Sequence, residues 1–147
     1  MKKVLLTLAV VFTALTAAAQ NTFNVVTDKM EISNMVWSET LQEHSFFEKE
    51  ARTYKKVVWE VTMNNNHTGT VKVTELKDGD KYGFNIYNWE FRKDNKGQDF
   101  IWMDAIQVSN SEKVTILVSA NEQKQQMISV FMPDSKIAIF FDNMDWE

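Results

Sequence analysis

Two histidines, twenty acidic residues and no cysteine bound the chemistry this chain can carry. Histidine is the commonest general base and metal ligand. His67 falls in the polar stretch Asn64–Gly69 and reads as a solvated loop residue, while His44 stands beside Glu43 in a segment of mixed pattern. With no third ligand at metal spacing, neither an HxxxH pair nor a Cys/His zinc pattern can be assembled, so no metal or other cofactor is expected. Carboxylates gather where the chain turns. Asp78-Gly79-Asp80 and the run from Asp94 to Asp99 faintly suggest calcium loops, yet Lys96 would occupy a ligand position in the second, and turn formation explains both better. A GxSxG nucleophile elbow and a phosphate-cradling glycine loop are both missing.

What is left is an aromatic-rich set with one carboxylate in its midst. Tyr82, Phe84, Trp89 and Trp102, together with Asp104, are the candidate lining of a ligand cavity, and Tyr87, Phe91 and Phe100 lie among them. The same rings could equally fill a solid core. Asp104 shares the nominal phase of Phe100, Trp102 and Ile106, so an unbroken strand would point it inward. An inward carboxylate is then a polar ligand contact or a paired group, because an unpaired buried charge is costly. A bulge at Met103 would instead turn Asp104 out to water, and that is the preferred reading.

The elements that must hold these side chains are strands. Val57, Trp59, Val61 and Met63 alternate with Val58, Glu60 and Thr62, the period-two mark of a half-buried strand. Val71 and Val73 alternate with Lys72 and Thr74, and Asp78-Gly79 is a hairpin signal suited to a type I′ turn. Tyr82, Phe84 and Ile86 keep one phase, whereas Tyr87, Trp89 and Phe91 keep the other, so a bulge or bend near Ile86-Tyr87 is expected. Further strands follow over 99–108, around Val114–Val118, Ile128–Met132 and Ile137–Phe141. Seven consecutive strands with short polar turns leave no room for crossover helices, which makes an antiparallel up-and-down meander the simplest topology.

Upstream, Phe23–Thr27 and Met30–Trp37 read as strands with a phase slip near Ser33-Asn34. Residues 40–52 fit either a helix, opened by the capping box Ser45–Glu48, or a hairpin that turns at Thr40–Glu43. The hairpin is preferred because its surroundings are β. The total is nine or ten strands, and closure into a barrel would remove the exposed edges of so long a meander. Met127 and Phe131 oppose Ile128 and Val130, and Ala138 and Phe140 oppose Ile139 and Phe141, so the outer side of these strands needs a cover. The N-terminal segment or a second subunit would supply it, which raises a homo-oligomer through the C-terminal strands.

Strand count and order resemble those of lipocalin-like and fatty-acid-binding-like (calycin) barrels over most of the chain. Trp37 falls in an early strand, as a Trp does in lipocalins, but Met35-Val36-Trp37 stands where those proteins carry Gly-x-Trp. The resemblance implies an all-β barrel architecture and transfers no functional residue.

Residues 1–19 have the three parts of a cleavable signal peptide in order: Lys2-Lys3, an apolar run from Val4 to about Thr16, and Ala17-Ala18-Ala19 before Gln20-Asn21. The apolar run is short of the roughly 20 residues a membrane span needs. Cleavage would leave 20–147 as a single domain and lower the formal charge from −4 to −6. Such an acidic domain is a poor partner for nucleic acid or an anionic membrane surface. Without cysteine there is neither a disulfide framework nor a lipid-anchor site. The short n-region and alanine cleavage site have a bacterial look, which points to a soluble periplasmic or extracellular product.

Three functions follow in order of support. The first is a non-catalytic barrel that binds a small apolar ligand, which requires a connected apolar cavity of at least about 300 Å³. The second is a protein-interaction module, an inhibitor or an envelope-assembly partner, which requires an exposed apolar patch above about 400 Å². The third is an enzyme, which would need a buried carboxylate pair in a cleft.

Overall fold

A computed structural model of the chain describes residues 20–40, 42–76, 79–120, 126–142 and 144–146, with the backbone alone at 20, 37, 38, 44–55, 120, 145 and 146. The export segment expected at 1–19 lies outside the described residues. The chain forms β1 (Gln20–Ser38), β2 (Glu43–Asn64), β3 (Gly69–Glu75), β4 (Lys81–Lys93), β5 (Asp99–Gln107), β6 (Lys113–Ala120), β7 (Gln126–Met132), β8 (Ile137–Asp142) and β9 (Asp145–Trp146).

Each strand from β2 to β7 pairs antiparallel with the next, and β1 pairs with both β2 and β8, which closes the sheet. The barrel therefore has eight strands rather than nine or ten. The two-residue β9 merely adds to β1 at Val25 and Val26. The higher count arose from dividing β1 and β2. Phe23–Thr27 and Met30–Trp37 belong to one strand, interrupted by register shifts at 27/29 and 32/33. Residues 43–52 continue directly into 54–63, so β2 is a single strand and 43–52 is the return strand of the expected hairpin rather than a helix. Bulges raise the local twist of a strand, and two of them help β1 serve two neighbours at once.

Alternation decides which residues enter the barrel. Val57, Trp59, Val61 and Met63 are buried, as are Val71 and Val73, Ile101, Met103 and Ala105, and Val114, Ile116 and Val118. Outward positions carry polar residues such as Glu60 and Lys72, which face each other across the β2–β3 pair. The β4–β5 register shifts between Ile86 and Asn88, at the expected bulge. Ile86 and Trp89 are consequently both buried, although they stand an odd three positions apart, and Tyr87 lies outside.

The outer side of the C-terminal strands is covered partly from within. Phe131 stands opposite Ala138, and Phe140 opposite Ser129. The two rings meet edge to face at 6.0 Å, and Ala138 and Ser129 are buried beside them. Pairing a large ring with a small residue across the ladder lets the diagonal aromatics touch.

Most turns end on one left-handed residue: Gln42, His67, Gly79, Gly97, Ser111 and Lys136 have φ between 54° and 76°. The turn expected at Asp78-Gly79 lies partly outside the described residues. Glu75 N–H donates to Asp80 O at 2.9 Å and Gly79 N–H to Glu75 O at 2.7 Å, which defines a wider loop. The run from Asp94 is likewise a turn, with Asp94 Oδ1 accepting from the Lys96 and Gln98 N–H groups.

Candidate functional site

The barrel interior is not filled along its whole length. A cavity of about 310 Å³ occupies the end where the β3–β4, β5–β6 and β7–β8 turns lie. Its two walls differ in chemistry. On β7, β8 and β1 the lining is apolar throughout: Val130, Met132, Ile139, Phe141, Met30 and Ile32. On the consecutive strands β3, β4 and β5 it includes Glu75, Tyr82 and Gln107, beside Val73 and Phe84.

Strand parity places those polar groups. Glu75 continues the inward series Val71, Val73, and Gln107 continues Ile101, Met103, Ala105. Both are the last residues of their strands, where an inward side chain reaches the rim of the barrel. Glu75 is only 7% exposed. The Gln107 side-chain oxygen is buried and has no hydrogen-bond partner. Tyr82, at 42% exposure, brings the cavity to solvent. The exposed apolar residues Leu76 and Val108 immediately follow Glu75 and Gln107 at the same end.

Trp59 forms the inner wall of the cavity. Its indole N–H donates to Thr27 Oγ1 at 3.1 Å inside the barrel, and its ring meets Phe141 edge to face at 4.8 Å. The buried donor is thereby satisfied, and the flat ring is held at a fixed angle beneath the open space.

Of the five candidates read from sequence, Tyr82 and Phe84 line this cavity and the other three do not. Trp89 is buried toward the opposite end, where its indole N–H is shared between Asn64 O at 3.0 Å and Thr68 O at 3.1 Å. His67 stacks on it at 4.7 Å between centroids and donates through Nδ1 to Trp89 O at 2.6 Å. This histidine is therefore more than a solvated loop residue: it fastens the β2–β3 turn over that end. Trp102 and Asp104 lie on the outer face. Trp102 Nε1 donates to Asp104 Oδ1 at 3.0 Å, and Arg92, which also pairs with Glu90, lies 3.9 Å from the Trp102 ring centroid. No bulge at Met103 is involved, because the β5–β6 register runs unbroken from Ile101 to Ile106. Asp104 points outward because Ile101, Met103 and Ala105 own the inner face.

The polar cavity residues Glu75 and Gln107 escaped the sequence reading, although alternation marks both. The eye stops at the last apolar member of each series. Among the described residues, no three His, Cys, Asp or Glu side chains are grouped to hold a metal ion.

Comparison with family models, curated proteins and solved structures finds no match.

Proposed function

We propose that this chain is an exported, non-catalytic binding protein that carries one small, largely apolar molecule in the cavity of a calycin-like barrel. The observation that carries the reading is the unfilled apolar space beneath Tyr82, walled by Trp59, Phe84 and Phe141. Small-molecule sites are concave, mostly apolar and supplied with a few polar groups, at volumes of roughly 300–1,000 Å³. At liquid density the cavity has room for about ten waters, so its ligand has on the order of ten non-hydrogen atoms. Leu76, Tyr82 and Val108 give the mouth an apolar approach. Export rests on the signal pattern of residues 1–19. Among the described lining residues, Glu75 is the one carboxyl.

Isothermal titration with 1-octanol tests the reading. The wild-type chain is expected to bind one equivalent, and Ile139→Trp, which fills the cavity from β8, is expected to bind none while keeping its thermal melt. Equal binding by both chains would place the ligand elsewhere and overturn the reading.

A second reading, an interaction module, is favoured by a specific feature of β2. Its β3-facing side is paired from Val57 onward, while the edge from Glu43 to Lys55 has no strand partner among the described residues. An open edge is a template for strand addition. Sedimentation across a concentration series separates the readings: a monomer throughout that also binds octanol favours the cavity.

A further inference from the structure

The apolar space ends partway down the barrel, and one side chain sets its depth. We infer that Trp59 determines the length of ligand this protein accepts, and that the ligand is a short-chain or single-ring apolar molecule rather than a long-chain lipid. The inference deepens the binding-barrel proposal and rests on it.

Two observations carry it. The first is where the lining stops. Among the described residues, six strands contribute two inward side chains each, and β5 contributes Gln107. Successive inward positions are about 7 Å apart along a strand, so the space is two side-chain layers deep. The next inward residues on β2, β3, β4, β5 and β7 are Val61, Val71, Ile86, Ala105 and Ile128. All are at most 3% exposed and belong to one packed cluster. Side chains so fully covered leave no gap into which a longer molecule could thread.

The second is what stands at that boundary. Trp59 is the largest fully buried side chain among the described residues, and on β2 it is the deeper of the two lining positions, below Val57. β1 lies between β2 and β8, yet the indole rooted on β2 meets Phe141 of β8 edge to face at 4.8 Å. Its ring therefore lies across the inner side of β1 and closes the space from below. The bond from its N–H to Thr27 Oγ1 fixes the tilt. Met30 and Met132 also line the space, and their unbranched side chains can repack around bodies of different width. The anchored ring gives no such freedom in length.

A series of straight-chain alcohols from 1-hexanol to 1-dodecanol, with dissociation constants read by native mass spectrometry, tests this. In the wild-type chain each added methylene is expected to tighten binding about fourfold. The gain should stop at about nine carbons, where the alcohol fills the space of about ten waters and further carbons stay in water at the mouth. Trp59→Phe removes about three non-hydrogen atoms from the floor, so its series is expected to go on tightening through 1-dodecanol. Retained binding of 1-octanol certifies that variant's fold. Trp89→Phe makes the same truncation toward the opposite end, outside the lining, and should leave the break where it is. A wild-type series that tightens without a break, a break that Trp59→Phe leaves in place, or one that Trp89→Phe moves equally would each overturn the role of Trp59 alone. Failure of every alcohol to bind the wild-type chain would instead overturn the cavity reading, and the inference with it.

Discussion

Single side chains fix both the depth and the shape of the cavity. Trp59 can be a buried wall because Thr27, itself fully buried, accepts its indole N–H. Thr27→Val keeps the volume and strands that donor, so the barrel should lose about 2 kcal/mol of stability in denaturant unfolding, within the range for a buried unsatisfied group. A loss near zero would mean that the bond contributes nothing net. Asp104 gives the opposite expectation. It is a partly exposed partner of Trp102 on the outer face, so Asp104→Ala should leave octanol affinity unchanged and cost less than about 1 kcal/mol. A large drop in affinity would return Asp104 to the cavity. The sequence pattern put Tyr82 and Phe84 in one phase, because β4 alternates cleanly before its bulge, and both fall in the cavity lining. It misled at Trp102 because β5 is apolar on both faces. The larger rings went outward, where the Arg92 guanidinium and the Asp104 carboxyl receive Trp102, and the compact Ile101, Met103 and Ala105 went in.

Strands and turns were more legible than side chains, and the exceptions have local causes. The phase change at Ile86-Tyr87 was readable because aromatic residues mark both phases, and the bulge falls there. Asp28-Lys29 looked like an interruption between two strands but is a bulge within β1, which β8 helps to hold from its other side. Nothing local distinguishes the two cases, since the neighbour that keeps β1 continuous is more than a hundred residues away. Left-handed φ at Ser111 and Lys136 strains residues that bear a Cβ, by about 1 kcal/mol. Ser111→Gly and Lys136→Gly should therefore each raise the melting temperature slightly, by up to about 1 kcal/mol in stability, less the entropy that glycine adds to the unfolded chain. Gly69 behaves in the other direction. A Cβ there would lie 2.0 Å from Thr62 O, a backbone atom that cannot rotate away. Gly69→Ala should cost about 2 kcal/mol or more as β2 and β3 are pushed apart. An unchanged melt would show that this edge of the barrel yields freely.

At the scale of the whole molecule, a meander closes because β1 is long and bulged enough to join β2 to β8. Closure was readable in the sequence as the remedy for a long meander with two edges. The size of the remaining space was not, because it depends on how Trp59 and Phe141 meet from strands far apart in the chain. The barrel is also uneven along its axis. Trp89, His67 and the Asn64–Thr68 turn interlock at one end, while the other opens beneath Tyr82. The inside is lined with apolar side chains, and the outside bears pairs such as Glu60 and Lys72. The most direct measurement is native mass spectrometry of the chain purified under non-denaturing conditions from its own source. A binding barrel is expected to carry one equivalent of a small adduct, on the order of ten non-hydrogen atoms, that Ile139→Trp cannot retain. A bare chain in every preparation, which also takes up no 1-octanol, would contradict it.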